Sequence, residues 1–142
     1  MYTNRNVDMS WLKTCNNFEM QLKTRISEFS EVLCYDVLKT HPLRVYNSHN
    51  ASLFYMPLWE WTSFVIGECN GTTHKDRMNA AADYLNKSKL FKLRIKKHFW
   101  ITSAAQASKE TNISSEKGDL INRMYNLKHI LKPTIVGQRK IQ

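Results

Sequence analysis

The stretch Ala51-Ser52-Leu53-Phe54-Tyr55-Met56-Pro57 decides how this chain folds. It is an apolar run too short for a helix, bracketed by turn-like residues Tyr46 to Asn50 on one side and a proline on the other. That combination suits a buried strand, because Pro57 cannot extend a ladder. Upstream, Phe18, Leu22, Ile26, Phe29, Val32, Leu33 and Val37 recur at helical spacing. They predict one amphipathic helix, capped by Asn16 or Asn17 and stopped before Pro42. Residues 1–17 are polar and poorly patterned, so they are expected as a loose N-terminal arm, with a single domain over 18–142.

Downstream, Cys69-Asn70-Gly71-Thr72-Thr73 carries turn chemistry. Met78, Ala81, Ala82, Leu85 and Leu90 then mark a second helix that opens near Thr73 or Asp76. His98-Phe99-Trp100-Ile101-Thr102 reads as a second strand, and the Ser-rich residues 104–116 as a loop. Leu120, Ile121, Met124, Leu127 and Ile130 mark a third helix, and Thr134-Ile135-Val136 a last strand. Helices alternating with strands predict an α/β fold with a mostly parallel sheet and right-handed crossovers. In such sheets a ligand lies beyond the carboxyl ends of the strands. That rule points at Pro57 to Trp61, and at Thr102, Ser103 and Ala104.

The 142 residues are enough for one domain with a real core. Their 42% hydrophobic and 23% charged content argues against wholesale disorder. The longest apolar run, Leu53 to Trp59, falls far short of the ~18 residues that a membrane span needs. No charged-then-apolar signal sequence follows Met1, so the chain itself is expected to make no membrane contact. Only four glycines occur, and neither a P-loop nor a dinucleotide fingerprint is among them.

The net charge of +9 is lopsided. Residues 1–84 hold eight basic and nine acidic side chains, whereas 85–142 hold thirteen basic and three acidic. Lys87, Lys89, Lys92, Arg94, Lys96 and Lys97 form the densest basic stretch, interleaved with Leu90, Phe91, Leu93 and Ile95. It reads either as a solvated rim or as a surface for a polyanion such as an anionic glycan. No helix-turn-helix, zinc-finger or RNP pattern accompanies it, so nucleic acid is not the expected partner. Cys15, Cys34 and Cys69 lack zinc-ligand spacing, and read as core thiols or as one disulfide plus a free thiol in an unspecified pairing. Sequons stand at Asn50, Asn70, Asn86 and Asn112. Asn50, directly before the strand, is expected to be the least accessible.

From Glu28 to Ser103 the chain resembles the N-terminal half of exostosin-like glycosyltransferases, family 47 of the carbohydrate enzymes. Tyr35-Asp36-Val37-Leu38-Lys39-Thr40 followed by Tyr46 to Pro57 is similar to the family's element ending Ala-Asp-Leu-Phe-Phe-Val-Pro. Asn79-Ala80-Ala81-Ala82-Asp83-Tyr84-Leu85 resembles the helix before its Trp-Asn-Arg segment, and His98-Phe99-Trp100 its Asp-His-Phe strand. Leu131-Lys132-Pro133 is similar to its later Val-Ile-Pro, and Arg94 to an arginine before the strand. The chain departs from the family at Phe91, where a tryptophan is usual, and at Ile95-Lys96-Lys97, where Gly-Arg-Asp is usual. Thr102-Ser103-Ala104-Ala105-Gln106 also replaces a His-Asp-Trp-like segment.

The resemblance implies a Rossmann-like parallel sheet with flanking helices, as in one half of a two-domain GT-B glycosyltransferase. It implies transfer from a nucleotide-sugar donor to a glycan or glycoprotein acceptor in the Golgi or endomembrane lumen. The donor would bind mainly to a C-terminal half that this chain does not resemble, leaving an acceptor-side unit that is inactive alone and holds no cofactor or metal. Such a transfer needs a general base. Glu60 is the candidate beyond the first strand and His98 the candidate opening the second. Trp59, Trp61, Ser103 and Arg94 are the candidates to hold the acceptor, the tryptophans by stacking on a sugar ring. The rival expectation is a non-catalytic module that binds an anionic glycan through 87–97.

Overall fold

The computed structural model describes residues 1–101. Ser103, the 104–116 loop, the Leu120–Ile130 helix, the Thr134–Val136 strand, the Leu131–Pro133 match and the Asn112 sequon lie outside the described residues. The described part is mixed α/β, built on a small parallel sheet of three strands in the order β1-β2-β3. β1 is Tyr2–Thr3, β2 is Phe54–Tyr55 and β3 is His98–Phe99. Tyr2 and His98 both pair with Phe54, and Thr3 and Phe99 both pair with Tyr55. Of the three strands expected from sequence, the two within the described residues form, shortened to Phe54–Tyr55 and His98–Phe99, and the apolar run at 51–56 supplies the centre.

Phe54 and Tyr55 are fully buried because helices cover both faces of β2. Successive strand residues point to opposite faces. On one face Tyr35 of α2 (Ser30–Lys39) meets the Tyr55 ring at 6.5 Å. On the other, His98 stacks on Phe54 at 4.7 Å and Phe91 of α5 (Lys89–Leu93) meets His98 edge-on.

Residues 1–17 are not a loose arm. The Tyr2 amide donates to the Leu53 carbonyl and the Asn4 amide to that of Tyr55, both at 2.9 Å. 3-10 turns at Arg5–Val7 and Ser10–Thr14 then bury Val7, Met9 and Leu12. Turns this short follow neither the helical nor the strand period, so the segment reads as unpatterned.

The long helix expected from Phe18 is also divided. α1 runs Phe18–Thr24, a 3-10 turn spans Ile26–Glu28, and α2 follows. The Phe18 and Phe29 rings lie 6.0 Å apart. On one straight helix those residues would stand about 16 Å apart along the axis. Folding back lets both enter one core, and it leaves Ile26, Leu33 and Val37 exposed.

α3, Glu60–Ile66, was not expected from the periodicity. Its first amides are met by another helix: Trp61 and Thr62 each donate to the Glu31 carboxylate at 2.9 Å. Its far end stops at Gly67, whose φ of +70° favours glycine. There the buried Arg77 guanidinium donates to the Ser63 and Gly67 carbonyls, so a cation sits at the negative end of the helix dipole. α4, His74–Lys87, opens at Thr73 as expected, with a reciprocal capping box to Asp76. It ends before Leu90, because Ser88 caps α5 instead.

The pairing left open by sequence is Cys15–Cys69, with Cys34 free. Cys69 begins a tight turn in which Asn70 and Gly71 have φ of +49° and +71°. Cys69 and Thr72 exchange two backbone hydrogen bonds of 3.0 Å. This is type I′ geometry, to which Asn-Gly is suited.

Candidate functional site

Glu60 lies just beyond the carboxyl end of β2, in the first turn of α3. Its carboxyl is 7% exposed and makes no hydrogen bond among the described residues. Burial, and then the neighbouring Glu31 charge, push it up to about 7. Glu31 is fully buried beside it, held by the two α3 amides. Glu31 is thus tied to backbone amides, and its charge adds to burial in holding the Glu60 carboxyl above the usual carboxylate range.

Trp61 stands at the rim of this pair. Its indole N–H donates to Glu28 at 3.2 Å and its ring stacks on Phe64 at 5.5 Å. It is half-buried, which leaves part of its surface for a sugar ring. Trp59 is not an acceptor-binding residue: it is 0% exposed, stacked on Phe18 and edge-on to Tyr35. A helix rather than an extended segment follows it, so its ring turns into the core.

His98 and Arg94 form a second group at the amino edge of the sheet. His98 Nδ1 bonds the Arg94 carbonyl at 2.9 Å, which requires Nδ1 to carry the proton. Its Nε2 is buried without a partner, and burial lowers its pKa. Packed between Phe54 and Phe91, His98 acts as a neutral core residue, not as a base open to an acceptor. Arg94 is half-buried, with its guanidinium 5.6 Å from the Phe54 ring centre. The structure thus brings Glu60 together with Trp61, and His98 with Arg94, and holds the two sets at opposite strand ends.

Two functional groupings escaped the sequence reading. Glu31 is one; the signal was a carboxylate one turn from Tyr35, on the face of α2 that also buries Val32. The other is Ser63 with His74, whose Oγ and Nδ1 are 3.0 Å apart. Arg77 Nε donates to the same Oγ at 2.7 Å, so the serine proton is free to go to His74. Ser63 is wholly buried, and the triple connects α3 to α4.

Lys87, Lys89, Lys92, Lys96 and Lys97 are all exposed across the end of α4, α5 and the 3-10 turn Ile95–Lys97. None of them makes an ion pair among the described residues. A separate cleft of about 280 Å³ is lined by Cys15, Asn16, Asn17, Glu68, Cys69 and Asn70 and includes none of the expected site residues. Among the described residues no cluster of ligands suits a metal ion, and no helix is long and apolar enough to cross a membrane. Comparison with family models, with curated proteins and with solved structures returns no match.

Proposed function

We propose that this chain is the acceptor-side unit of an exostosin-type glycosyltransferase with Rossmann-like, GT-B architecture, acting in the Golgi or endomembrane lumen. The observation that carries the reading is Glu60, a buried carboxyl near pKa 7 beyond the carboxyl end of the central parallel strand. A general base titrating near the working pH is the kind such a transfer needs. Glu60 would take the proton of the acceptor hydroxyl as that oxygen bonds to the anomeric carbon and the nucleoside diphosphate leaves. Trp61 would offer its half-exposed ring to the acceptor sugar. Glu60 is buried within residues 1–101, so the reading requires an acceptor channel that opens onto it. The disulfide supports a lumenal setting, since disulfides persist in oxidising compartments.

The test is a thermal-shift screen with nucleotide sugars, on this chain alone and on a version extended by a donor-binding half. A shift confined to the extended protein is expected. A shift with the chain alone would place the donor site here and sink the division of labour.

A second reading, a non-catalytic module for an anionic glycan, is favoured by one observation: the five exposed, unpaired lysines at 87–97. It predicts retention on immobilised heparin that falls steeply with added salt. Replacing Lys89, Lys92 and Lys96 by glutamine should move elution to lower salt. Passage through the column at low salt would remove this reading, and a preference for DNA over glycan would redirect it to nucleic acid.

A further inference from the structure

We infer that Asn70 carries an N-linked glycan, added in the oxidising lumen where the Cys15–Cys69 disulfide forms. The inference does not depend on the glycosyltransferase reading. Two independent observations meet at one turn. Asn70-Gly71-Thr72 is an N-x-T sequon, the acceptor pattern for this modification. The residue immediately before it, Cys69, is disulfide-bonded to Cys15 across 54 residues of chain, and a stable disulfide marks an oxidising compartment.

The fold accommodates the product. Asn70 is exposed at the tip of the type I′ turn and its side chain makes no hydrogen bond among the described residues. Asn86, by contrast, lies within the last turn of α4 rather than at a turn tip. Asn50 is exposed, as Asn70 and Asn86 are, but it ends a 3-10 turn whose next residue, Ala51, is buried. At Asn70 the neighbouring cleft offers the polar side chains of Asn16, Asn17 and Glu68 to the first sugar.

The co-reactant is a lipid-pyrophosphate-linked oligosaccharide. A bond forms between the Asn70 amide nitrogen and the anomeric carbon while the bond from that carbon to the pyrophosphate oxygen breaks. The lipid pyrophosphate leaves with the electron pair, and the amide gives up one proton to the transferase that catalyses the step.

The experiment is peptide mapping of the full protein, isolated from the cells that make it, before and after peptide N-glycosidase. The expected result is a glycan on the Asn70 peptide whose release converts Asn70 to aspartate, with Cys15 and Cys69 linked in the non-reduced map. Asn70→Gln should remove the corresponding gel shift, and Thr72→Ser should keep it. Because the map is read on the unsubstituted chain, no variant has to fold. An unmodified Asn70 overturns the inference, whether or not Asn50 or Asn86 is occupied. Cys15 and Cys69 found as free thiols overturn it equally.

Discussion

Reducing the Cys15–Cys69 disulfide is expected to lower the folding stability by about 4 kcal/mol, a large share of the ~5–15 kcal/mol that a domain usually has. The bridge joins residues 54 apart, and a cross-link of that span removes much of the freedom of the unfolded chain. It also ties together two parts that are distant in sequence. On one side is the N-terminal segment that brings β1 to the sheet; on the other is the turn between α3 and α4. Near the bridge, the Asn17 side chain donates to the Ile66 carbonyl at 3.2 Å, and the Arg77 guanidinium lies 5.9 Å from the Trp11 ring centre. Urea unfolding with and without reductant measures the effect, and a drop in midpoint of about 2 M is expected. Cys34→Ser, which spares the bridge, should leave the midpoint close to the parent's. Equal midpoints in the oxidised and reduced protein would show that packing alone holds the N-terminal segment.

Glu60→Gln is expected to stabilise the protein at pH 8 by about 3 kcal/mol while cutting sugar transfer by roughly 10²–10⁴-fold. In the unfolded chain the carboxyl titrates at its ordinary 4.5, and in the fold at about 7. The folded state therefore holds a proton that the unfolded state releases between those values. Stability carries no penalty below pH 4.5, falls as pH rises, and has lost the full amount above 7. Glutamine cannot ionise, so the fall in stability that Glu60 causes across that window should be absent from the variant. On the proposed glycosyltransferase reading, the rate loss is measured on a version extended by a donor-binding half. The two readouts separate the hypotheses. Higher stability with unchanged transfer would make Glu60 a buried carboxyl without a catalytic role. A pH profile identical to the parent's would mean that the Glu31–Glu60 pair does not titrate as described.

The strand at 51–56, the strand opening at His98 and the cap at Thr73 were all legible because each follows from a local rule. Apolar length, a bounding proline and a Thr-x-x-Asp spacing act within a few residues. The candidate site was legible only in part. Glu60 was found from the strand that precedes it, but its partner Glu31 belongs to another helix 29 positions earlier. The sequence offered both Trp59 and Trp61 as acceptor-binding residues and did not say which one the core takes. The turn into α3 sends one to the core and leaves the other at the rim.

By itself, the sequence determined a mixed α/β domain, the central strand, the Asn-Gly turn and a basic second part. Periodicity, turn chemistry and charge are written in neighbouring residues, and no tertiary contact is needed to read them. Only the tertiary structure decided that residues 1–17 enter the sheet, that the Phe18 helix folds back, that Cys15 finds Cys69, and that Glu31 and Glu60 share one buried space. Each of these depends on residues distant in sequence meeting to cover Phe54, Tyr55 and Trp59. The hydrophobic drive to bury those rings has no direction along the chain, so no local pattern announces which segments will cover them.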